Sequence, residues 1–346
     1  VAYAQKRFVT IIPEIELPGH SSAAVAAYPE LSCGIKDRYE VIKTFGIFDN
    51  VFCPNEKTFR FLEDVFSEVA ALFPGTYIHI GGDECPKTAW KQCSHCQGLM
   101  KKLNLKDENQ LQSYFIHEVE KIVNRQGKQI IGWDEILDGG LAPNATVMSW
   151  RGEKGGIEAA KSGHSVIMMP NADTYLNYYQ EDPEYAPIGS GSFLPIEQVY
   201  SYEPIPAQMN DRDKKYVLGM EAALWTPYMK NPDVVDYYMY PRFYAVAEVA
   251  WTPAEAKNYT DFLARIRKQY ARLDLQQVKA CRNYFDAYID GAFNKRTRKF
   301  EVRITGMIPG SEIRYTTDGR IPTSASNVYS TPIVLHKNTT IKAAVF

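Results

Sequence analysis

The stretch Thr76–Glu84, Thr-Tyr-Ile-His-Ile-Gly-Gly-Asp-Glu, decides the fold because a short apolar run ends abruptly in two glycines and two acids. Before it, apolar residues recur at three- and four-residue steps over residues 62–73, which predicts an amphipathic helix that Pro74-Gly75 ends. A second such helix is predicted over residues 111–123. A helix, a strand and a further helix in this order are typical of βα units around a parallel sheet.

The same alternation of short β-branched runs and helical segments continues from residue 8 to residue 250, which predicts an α/β fold. Six strands are most of a (β/α)8 TIM barrel, so we expect an incomplete barrel, which we assign to residues 1–290. The predicted strands are Phe8–Ile12, Thr76–Ile80, Gln129–Gly132, Thr146–Ser149, Ser165–Met169 and Leu218–Leu224.

The C-terminal residues differ in pattern from the barrel. Two amphipathic helices are predicted at about 259–273 and 276–288, and from Lys299 onward apolar and polar residues alternate. Alternation with turn signals indicates short strands, so residues 293–346 are predicted to form a small all-β, sandwich-like module. Residues 178–216, rich in Pro, Gly and Tyr, are much longer than an ordinary connection, and we interpret them as a loop on the substrate side.

Composition narrows the function classes. The 346 residues carry a formal net charge of -2, so neither nucleic acid nor an anionic membrane is an expected partner. Apolar runs are broken well before the roughly 18 residues that a membrane helix needs. The aromatic content of 13% favours, weakly, a surface that binds sugar rings or peptides. Six cysteines are too few for a disulfide scaffold of this length.

The residues that follow the predicted strands are the candidate site, because a barrel enzyme has its active site at the C-terminal ends of its strands. Gly81 and Gly82 allow a backbone kink through which Asp83 and Glu84 can both reach one pocket. Two close carboxylates raise the pKa of one of them, which then donates a proton near neutrality. The alternative is a pair of helix N-cap acids before Pro86.

Three of the five tryptophans, Trp133, Trp150 and Trp225, also follow predicted strands, and Tyr175 follows the fifth strand. A single tryptophan more often fills a core than a ligand site. Three at equivalent positions around one barrel mouth indicate an aromatic pocket. Together with a carboxylate pair, such a pocket suits glycoside hydrolysis.

Four segments together resemble the catalytic barrel of glycoside hydrolase family 20, the β-N-acetylhexosaminidases: Pro13–His20, His79–Glu84, Gly132–Glu135 and Ser149–Arg151. The resemblance implies a hydrolase that removes terminal β-linked N-acetylglucosamine or N-acetylgalactosamine with retention of configuration. It also implies that the substrate's own 2-acetamido carbonyl is the nucleophile and forms an oxazolinium intermediate. The expected partner is a glycan or chito-oligosaccharide.

The resemblance assigns roles to individual residues. Glu84 would be the general acid/base, Asp83 would orient the acetamido group, and Tyr175 would hydrogen-bond the acetamido oxygen. His20 would help to hold the general acid, paired with Glu16, where the family usually has Asp. The walls around the sugar and its acetamido methyl would be Trp133, Trp150 and Trp225.

Several departures from the family pattern motivate an alternative. Asn177 stands where many members have a sugar-binding Asp, and Pro227 stands where a Glu commonly binds the outer hydroxyls. The first two βα units and the accessory domain before the barrel have no counterpart, so we expect the chain to be a fragment of a longer protein. The alternative function is a non-catalytic carbohydrate-binding protein on a degenerate hexosaminidase barrel.

The cysteines raise the question of a metal. Cys93 and Cys96 have Cys-x2-Cys spacing, which supplies half of a tetrahedral zinc site. Cys85 and His95 could complete it only by coincidence of folding, so plain helix-flanking cysteines or a local disulfide are favoured, and no metal or cofactor is predicted. By resemblance, the protein is expected to be bacterial and periplasmic, associated with the cell surface, or secreted.

Overall fold

The computed structural model describes residues 1–34, 39–306 and 310–346, which form two compact units. The first unit comprises Val1–Tyr175, Ser201–Ala223 and Val249–Trp251. It holds six parallel strands in sequential order, each paired with the next, as predicted for an incomplete α/β barrel. The strands are β1 (Glu14–Leu17), β2 (Tyr77–Gly81), β3 (Gln129–Trp133), β4 (Thr146–Ser149), β5 (Val166–Met168) and β6 (Val217–Met220).

Helices precede, connect and follow these strands. They are α1 (Ala2–Gln5), α2 (Ser22–Ala27), α3 (Glu56–Leu72), α4 (Thr88–Gln92), α5 (Ser94–Leu103), α6 (Glu108–Arg125), α7 (Lys154–Lys161), α8 (Asn171–Thr174), α9 (Ile196–Ser201), α10 (Asp211–Lys214), α11 (Pro232–Met239), α12 (Arg242–Trp251) and α13 (Tyr259–Leu275). Short 3-10 turns occur at Pro29–Leu31, Asp134–Leu137, Ala254–Ala256 and Asn283–Phe285.

The predicted helix faces are confirmed in α3 and α6. Leu62 and Phe66 of α3 and Phe115 and Val119 of α6 are buried in one cluster with Ile78 of β2. The side chains of Asn55 and Asp107 cap these two helices by accepting the backbone N–H three residues on. Each helix packs against the sheet and returns the chain to the end at which the strands begin. The strands that follow, β2 and β3, therefore run parallel to the strands before them.

Two predicted elements are wrong. The first strand is Glu14–Leu17 instead of Phe8–Ile12, because the ladder with β2 begins only at Pro13, whose carbonyl accepts from His79 N. Phe8 is fully exposed. The helix predicted over 276–288 is absent from these described residues, since α13 ends where Gln277 adopts a left-handed φ of 60° and Val278 N–H donates to Leu273 O.

The second unit comprises Leu176–Tyr200, Leu224–Glu248 and Thr252–Phe346. Its C-terminal part is all-β, as predicted, with two three-stranded antiparallel sheets in the orders β11-β8-β7 and β10-β9-β12. The predicted boundary near residue 290 stays a prediction. The strands are β7 (Ala287–Asn294), β8 (Lys299–Gly306), β9 (Ile313–Thr316), β10 (Asn327–Val328), β11 (Ile333–Leu335) and β12 (Lys342–Val345).

Among the described residues, no helix combines the length and the apolar character that crossing a membrane requires.

Candidate active site

The end of β2 is kinked at its two glycines, as the sequence predicted. Gly81 has a φ of 68° and Gly82 a φ of 101°, a region that residues with a Cβ rarely adopt. A Cβ on Gly81 would lie 1.6 Å from Glu16 Oε1, and one on Gly82 would lie 2.5 Å from a methyl of Ile136. The glycines therefore allow the backbone to turn and leave room for Glu16 beneath it.

The kink brings Asp83 and Glu84 to one histidine. His20 Nε2 lies 3.4 Å from Asp83 Oδ2 and 3.4 Å from Glu84 Oε2. Contact with Asp83 raises the pKa of His20, although partial burial opposes the shift. The side chain of Asp83 is 17% exposed and that of Glu84 is 34% exposed, so both remain accessible to a ligand.

Both His20 and Glu84 hold strained backbone conformations. Their φ angles are 47° and 44°, in the left-handed region that non-glycine residues enter at a cost of the order of 1–3 kcal/mol. Such strain persists only where the surrounding structure enforces it. Gly19, next to His20, packs closely enough that a Cβ there would lie 3.0 Å from Asp83 O, which shows how tightly the two turns meet.

Glu16 lies under the acid pair and accepts the Gly82 N–H at 3.1 Å. Burial, followed by the charges of Asp83 and Glu14, raises the pKa of Glu16 to about 11, so its carboxyl group is protonated at neutral pH. The carboxyl groups of Asp83 and Glu14 act on Glu16, so a proton on Glu16 relieves the repulsion among the three acids. The resemblance implied that Glu16 pairs with His20. The structure shows a different partner, because the long side chain of Glu16 reaches the backbone of the kinked turn at Gly82 instead.

A second group of contacts lies at the start of β1. Glu14 Oε1 accepts from Trp133 Nε1 at 3.1 Å and lies 3.2 Å from Nδ1 of the buried His79. Although burial acts in the opposite direction, the bond and charge of His79 lower the pKa of Glu14. The His79 and Trp133 rings pack with centroids 4.5 Å apart. These contacts fix the indole of Trp133 at the end of β3.

The ends of β4 and β5 supply an aromatic pair. The rings of Trp150 and Tyr175 stack with centroids 6.3 Å apart and planes 14° apart. Trp150 Nε1 donates to Glu135 Oε2 at 2.9 Å, and Arg151 Nε lies 3.0 Å from Asp134 Oδ1. Burial raises the pKa of Glu135 to about 7 against the opposing effect of the Trp150 bond. Glu135 thus holds the indole of Trp150, and Arg151, 3.7 Å from Glu135 Oε2, links Glu135 to Asp134.

Comparison with known proteins identifies this arrangement. The family model "Glycosyl hydrolase family 20, catalytic domain" matches residues 1–254. The chain belongs to glycosyl hydrolase family 20. A second model, "Fn3 associated", matches residues 302–346, within the C-terminal β module.

Individual members of glycosyl hydrolase family 20 are similar over most of the chain. A β-hexosaminidase of Porphyromonas gingivalis is 46% identical over 340 residues, which are 96% of this chain and 43% of that protein. A β-hexosaminidase of Vibrio furnissii is 39% identical over 71% of this chain and 41% of its own length. The crystal structure of an exo β-N-acetylglucosaminidase from Vibrio harveyi, in complex with N-acetylglucosamine, superposes with a TM-score of 0.73 at 36% identity, covering 81% of this chain and 45% of that one. The chain spans less than half the length of these relatives.

The candidate site residues that the resemblance to family 20 predicted lie in both units. The first unit brings His20, Asp83 and Glu84 into direct contact and stacks Trp150 on Tyr175. Asn177 and Trp225 belong to the second unit, where Asn177 is 3% exposed and Trp225 is 42% exposed.

Sequence reasoning missed several residues that support the site. They are Glu14, His79, Asp134, Glu135 and Arg151. All five lie inside the four segments that carry the resemblance, but the resemblance assigned them no role. Their partners lie on other strands, which sequence spacing does not reveal.

Proposed function

We propose that the protein containing this chain is a retaining exo-β-N-acetylhexosaminidase that acts on terminal β-linked N-acetylglucosamine or N-acetylgalactosamine by substrate-assisted catalysis. The observation that carries the proposal is the contact of His20 with both Asp83 and Glu84 at a strained, partly exposed strand end. Membership of family 20 and the named activities of its relatives support it.

Glu84 is proposed as the general acid/base. Its side chain is the more exposed of the pair, so it can reach the glycosidic oxygen of a bound substrate. In the first step it gives its proton to the leaving group, and in the second it takes a proton from the attacking water. A protonated His20 at 3.4 Å stabilises the Glu84 carboxylate between these two steps.

Asp83 is proposed to face the acetamido N–H. His20 Nε2, 3.4 Å from Asp83 Oδ2, helps to orient this carboxylate, and a neutral Glu16 adds no second negative charge beside it. Asp83 then stabilises the positive charge that develops on the acetamido group as its carbonyl oxygen attacks the anomeric carbon. No second carboxylate nucleophile is needed for retention, because the substrate supplies the attacking atom.

Trp150 and Tyr175 are proposed to border the acetamido group and the sugar. A stacked indole and phenol present flat apolar faces to the ring and methyl carbons, and the Tyr175 hydroxyl supplies a hydrogen-bond donor for the acetamido oxygen. Trp133, held by Glu14, is proposed as a further wall.

The test is a substrate comparison on the full-length protein. An aryl β-N-acetylglucosaminide is expected to be hydrolysed, and the matching aryl β-glucoside, which lacks the internal nucleophile, is expected to be cleaved orders of magnitude more slowly. A thiazoline mimic of the cyclised intermediate should bind much more tightly than product. Efficient glucoside cleavage would refute substrate assistance, whereas sugar binding without turnover would support the carbohydrate-binding alternative that Asn177 and Pro227 suggest.

We further propose that the protein acts in the periplasm, at the cell surface or outside the cell, where polymeric glycans are accessible. Its membership of family 20 supports this proposal. Fractionation of cells that express the full-length gene is the test, and activity confined to the cytoplasmic fraction would contradict the proposal.

A further inference from the structure

Four cysteines from three separate stretches of the first unit lie close together. Their Sγ atoms all lie within 4.8 Å of one another. Cys33 follows the 3-10 turn after α2, Cys53 precedes α3, and Cys93 and Cys96 begin α5. We call this set, Cys33, Cys53, Cys93 and Cys96, the cysteine cluster. All six cysteines of the chain are described, and all are free thiols.

The spacing of the sulfurs matches a tetrahedral metal site. Cys96 Sγ lies 3.7 Å from Cys33 Sγ and 3.8 Å from Cys53 Sγ. Four sulfurs at a Zn–S distance of about 2.3 Å form a tetrahedron whose edge is about 3.8 Å. A disulfide needs sulfurs about 2.05 Å apart, so these sulfurs are not joined, and their separations are compatible with the edge of a zinc–thiolate tetrahedron.

The surroundings of the cluster fit a metal site as well. The backbone N–H of Cys96 donates to Cys93 Sγ at 3.5 Å, a bond that orients the sulfur and stabilises a thiolate. Cys53, Cys93 and Cys96 are buried, whereas Cys33 is partly exposed and leaves a path for an ion. His95 Nε2 lies 3.2 Å from the carbonyl of Pro54, and Cys85 stands outside the cluster.

We propose that the cysteine cluster binds one structural zinc ion through four thiolates. Thiolates are soft ligands that select zinc over harder divalent ions, and a four-sulfur site has no open position for catalysis. The Cys-x2-Cys pair contributes two ligands, and Cys33 and Cys53 take the places that spacing alone had offered to Cys85 and His95.

The zinc site would fasten loops that shape the catalytic centre. Cys53 N–H donates to Leu31 O, and the neighbouring Phe52 N–H donates to Pro18 O, two residues before His20. Trp90 of α4 donates from its indole to Phe52 O at 3.0 Å. The loops after β1 and β2 are thus already joined at the cluster, and a metal there would link them through four further bonds.

The experiment measures metal and thiols on the full-length protein, expressed without added metal and purified with a non-chelating reductant. Elemental analysis is expected to find about one zinc per chain. Titration with a mercurial reagent in the presence of a zinc dye is expected to release that zinc as four thiols react. These two measurements need no variant, so they decide the question even if cysteine replacements prevent folding.

The matched variants are Cys93→Ser with Cys96→Ser, and Cys281→Ser as a control outside the cluster. The double replacement should lose the zinc, and Cys281→Ser should keep it. Chelation should lower the melting temperature of the unchanged protein and of the control alike. Free thiols without zinc would overturn the proposal, as would an intact mass lighter by four hydrogens, which indicates two disulfides. Stoichiometric iron in place of zinc would overturn the choice of metal.

Discussion

Two groups of ionisable side chains follow β1 and β2, and they are built in opposite ways. The acid–histidine site, Glu16, His20, Asp83 and Glu84, has left-handed backbone at His20 and Glu84 and keeps Asp83 and Glu84 partly exposed. The cysteine cluster is mostly buried, and two of its members begin the regular helix α5. Strain with exposure marks the place where a ligand reacts, whereas burial on regular backbone marks a place where the chain is held together.

The two groups also manage charge differently. In the acid–histidine site, protonation of Glu16 relieves repulsion among carboxyl groups, and contact with Asp83 raises the pKa of His20. In the cysteine cluster, Cys96 Sγ lies 3.7 Å from Cys33 Sγ and 3.8 Å from Cys53 Sγ, so four thiolates there would need a cation to balance their charge. Changes in the acid–histidine site should therefore affect turnover and the response to pH. Changes in the cysteine cluster should affect the stability of the fold.

The largest effect is expected from Glu84→Gln in the full-length protein. Loss of general acid catalysis should slow hydrolysis of substrates with poor leaving groups by about 10² to 10⁴. Activated aryl glycosides need less protonation and should lose less. Steady-state kinetics on both substrate types measure this, with Glu68→Gln on the exposed face of α3 as a control. Equal losses on both substrates would show that Glu84 is not the acid.

The next effect concerns the backbone. Gly81→Ala should destabilise the protein by about 1–3 kcal/mol from its positive φ alone, and more because the new Cβ meets Glu16. The matched control is Gly98→Ala in α5, where a Cβ has nothing within 4 Å and a helical alanine stabilises by roughly 0.5–1 kcal/mol.

Urea unfolding of both glycine variants measures the difference in the free energy of unfolding. Opposite signs are expected, with Gly81→Ala less stable and Gly98→Ala at least as stable as the unchanged protein. A tolerated Gly81→Ala would mean that the kink at the end of β2 is not enforced.

Some features of the fold and of the acid–histidine site could be predicted from the sequence, and others could not. The kink at Gly81-Gly82 and the buried faces of α3 and α6 were predicted because each depends on neighbours within a few residues. The start of β1 was misplaced, since an apolar run does not reveal where the ladder with β2 begins. Likewise, Glu16 was assigned to His20 because nothing local showed that its side chain would fill the space under Gly81.

The cysteine cluster could not be predicted from sequence spacing, because some of its members are far apart along the chain. Cys33 and Cys53 are 63 and 43 residues away from Cys96 along the chain. A spacing rule recognises the Cys-x2-Cys pair, but it does not identify Cys33 and Cys53 as further ligands. The other two ligands are brought in by the packing of the loop after β1, which only the assembled sheet determines.

A pH effect is expected from Glu16→Gln. The pKa of Glu16 is about 11 in the folded protein against an ordinary value of 4.5, so the unfolded chain loses a proton above pH 4.5 that the folded protein keeps. Its contribution to stability is therefore full below pH 4.5 and falls as the pH rises, by up to about 1.4 kcal/mol per pH unit. Glutamine mimics the protonated carboxyl and does not titrate.

Urea unfolding between pH 5 and pH 8 measures the free energy of unfolding of both proteins. Relative to the unchanged protein, Glu16→Gln should become more stable as the pH rises. The same series on Glu68→Gln should run parallel to the unchanged protein. Parallel curves for Glu16→Gln as well would show that Glu16 is ionised in the folded state.

The smallest effect is spectroscopic and concerns Glu135. Burial raises its pKa to about 7, and its Oε2 accepts from Trp150 Nε1 at 2.9 Å, so a negative charge appears beside the pyrrole ring as the pH passes neutrality. Because excitation moves electron density away from that ring, the emission of Trp150 should shift to longer wavelength with a midpoint near the pKa of Glu135. Glu135→Gln keeps an acceptor for the indole N–H and should remove the transition. A midpoint that survives in the variant would assign the shift to another group.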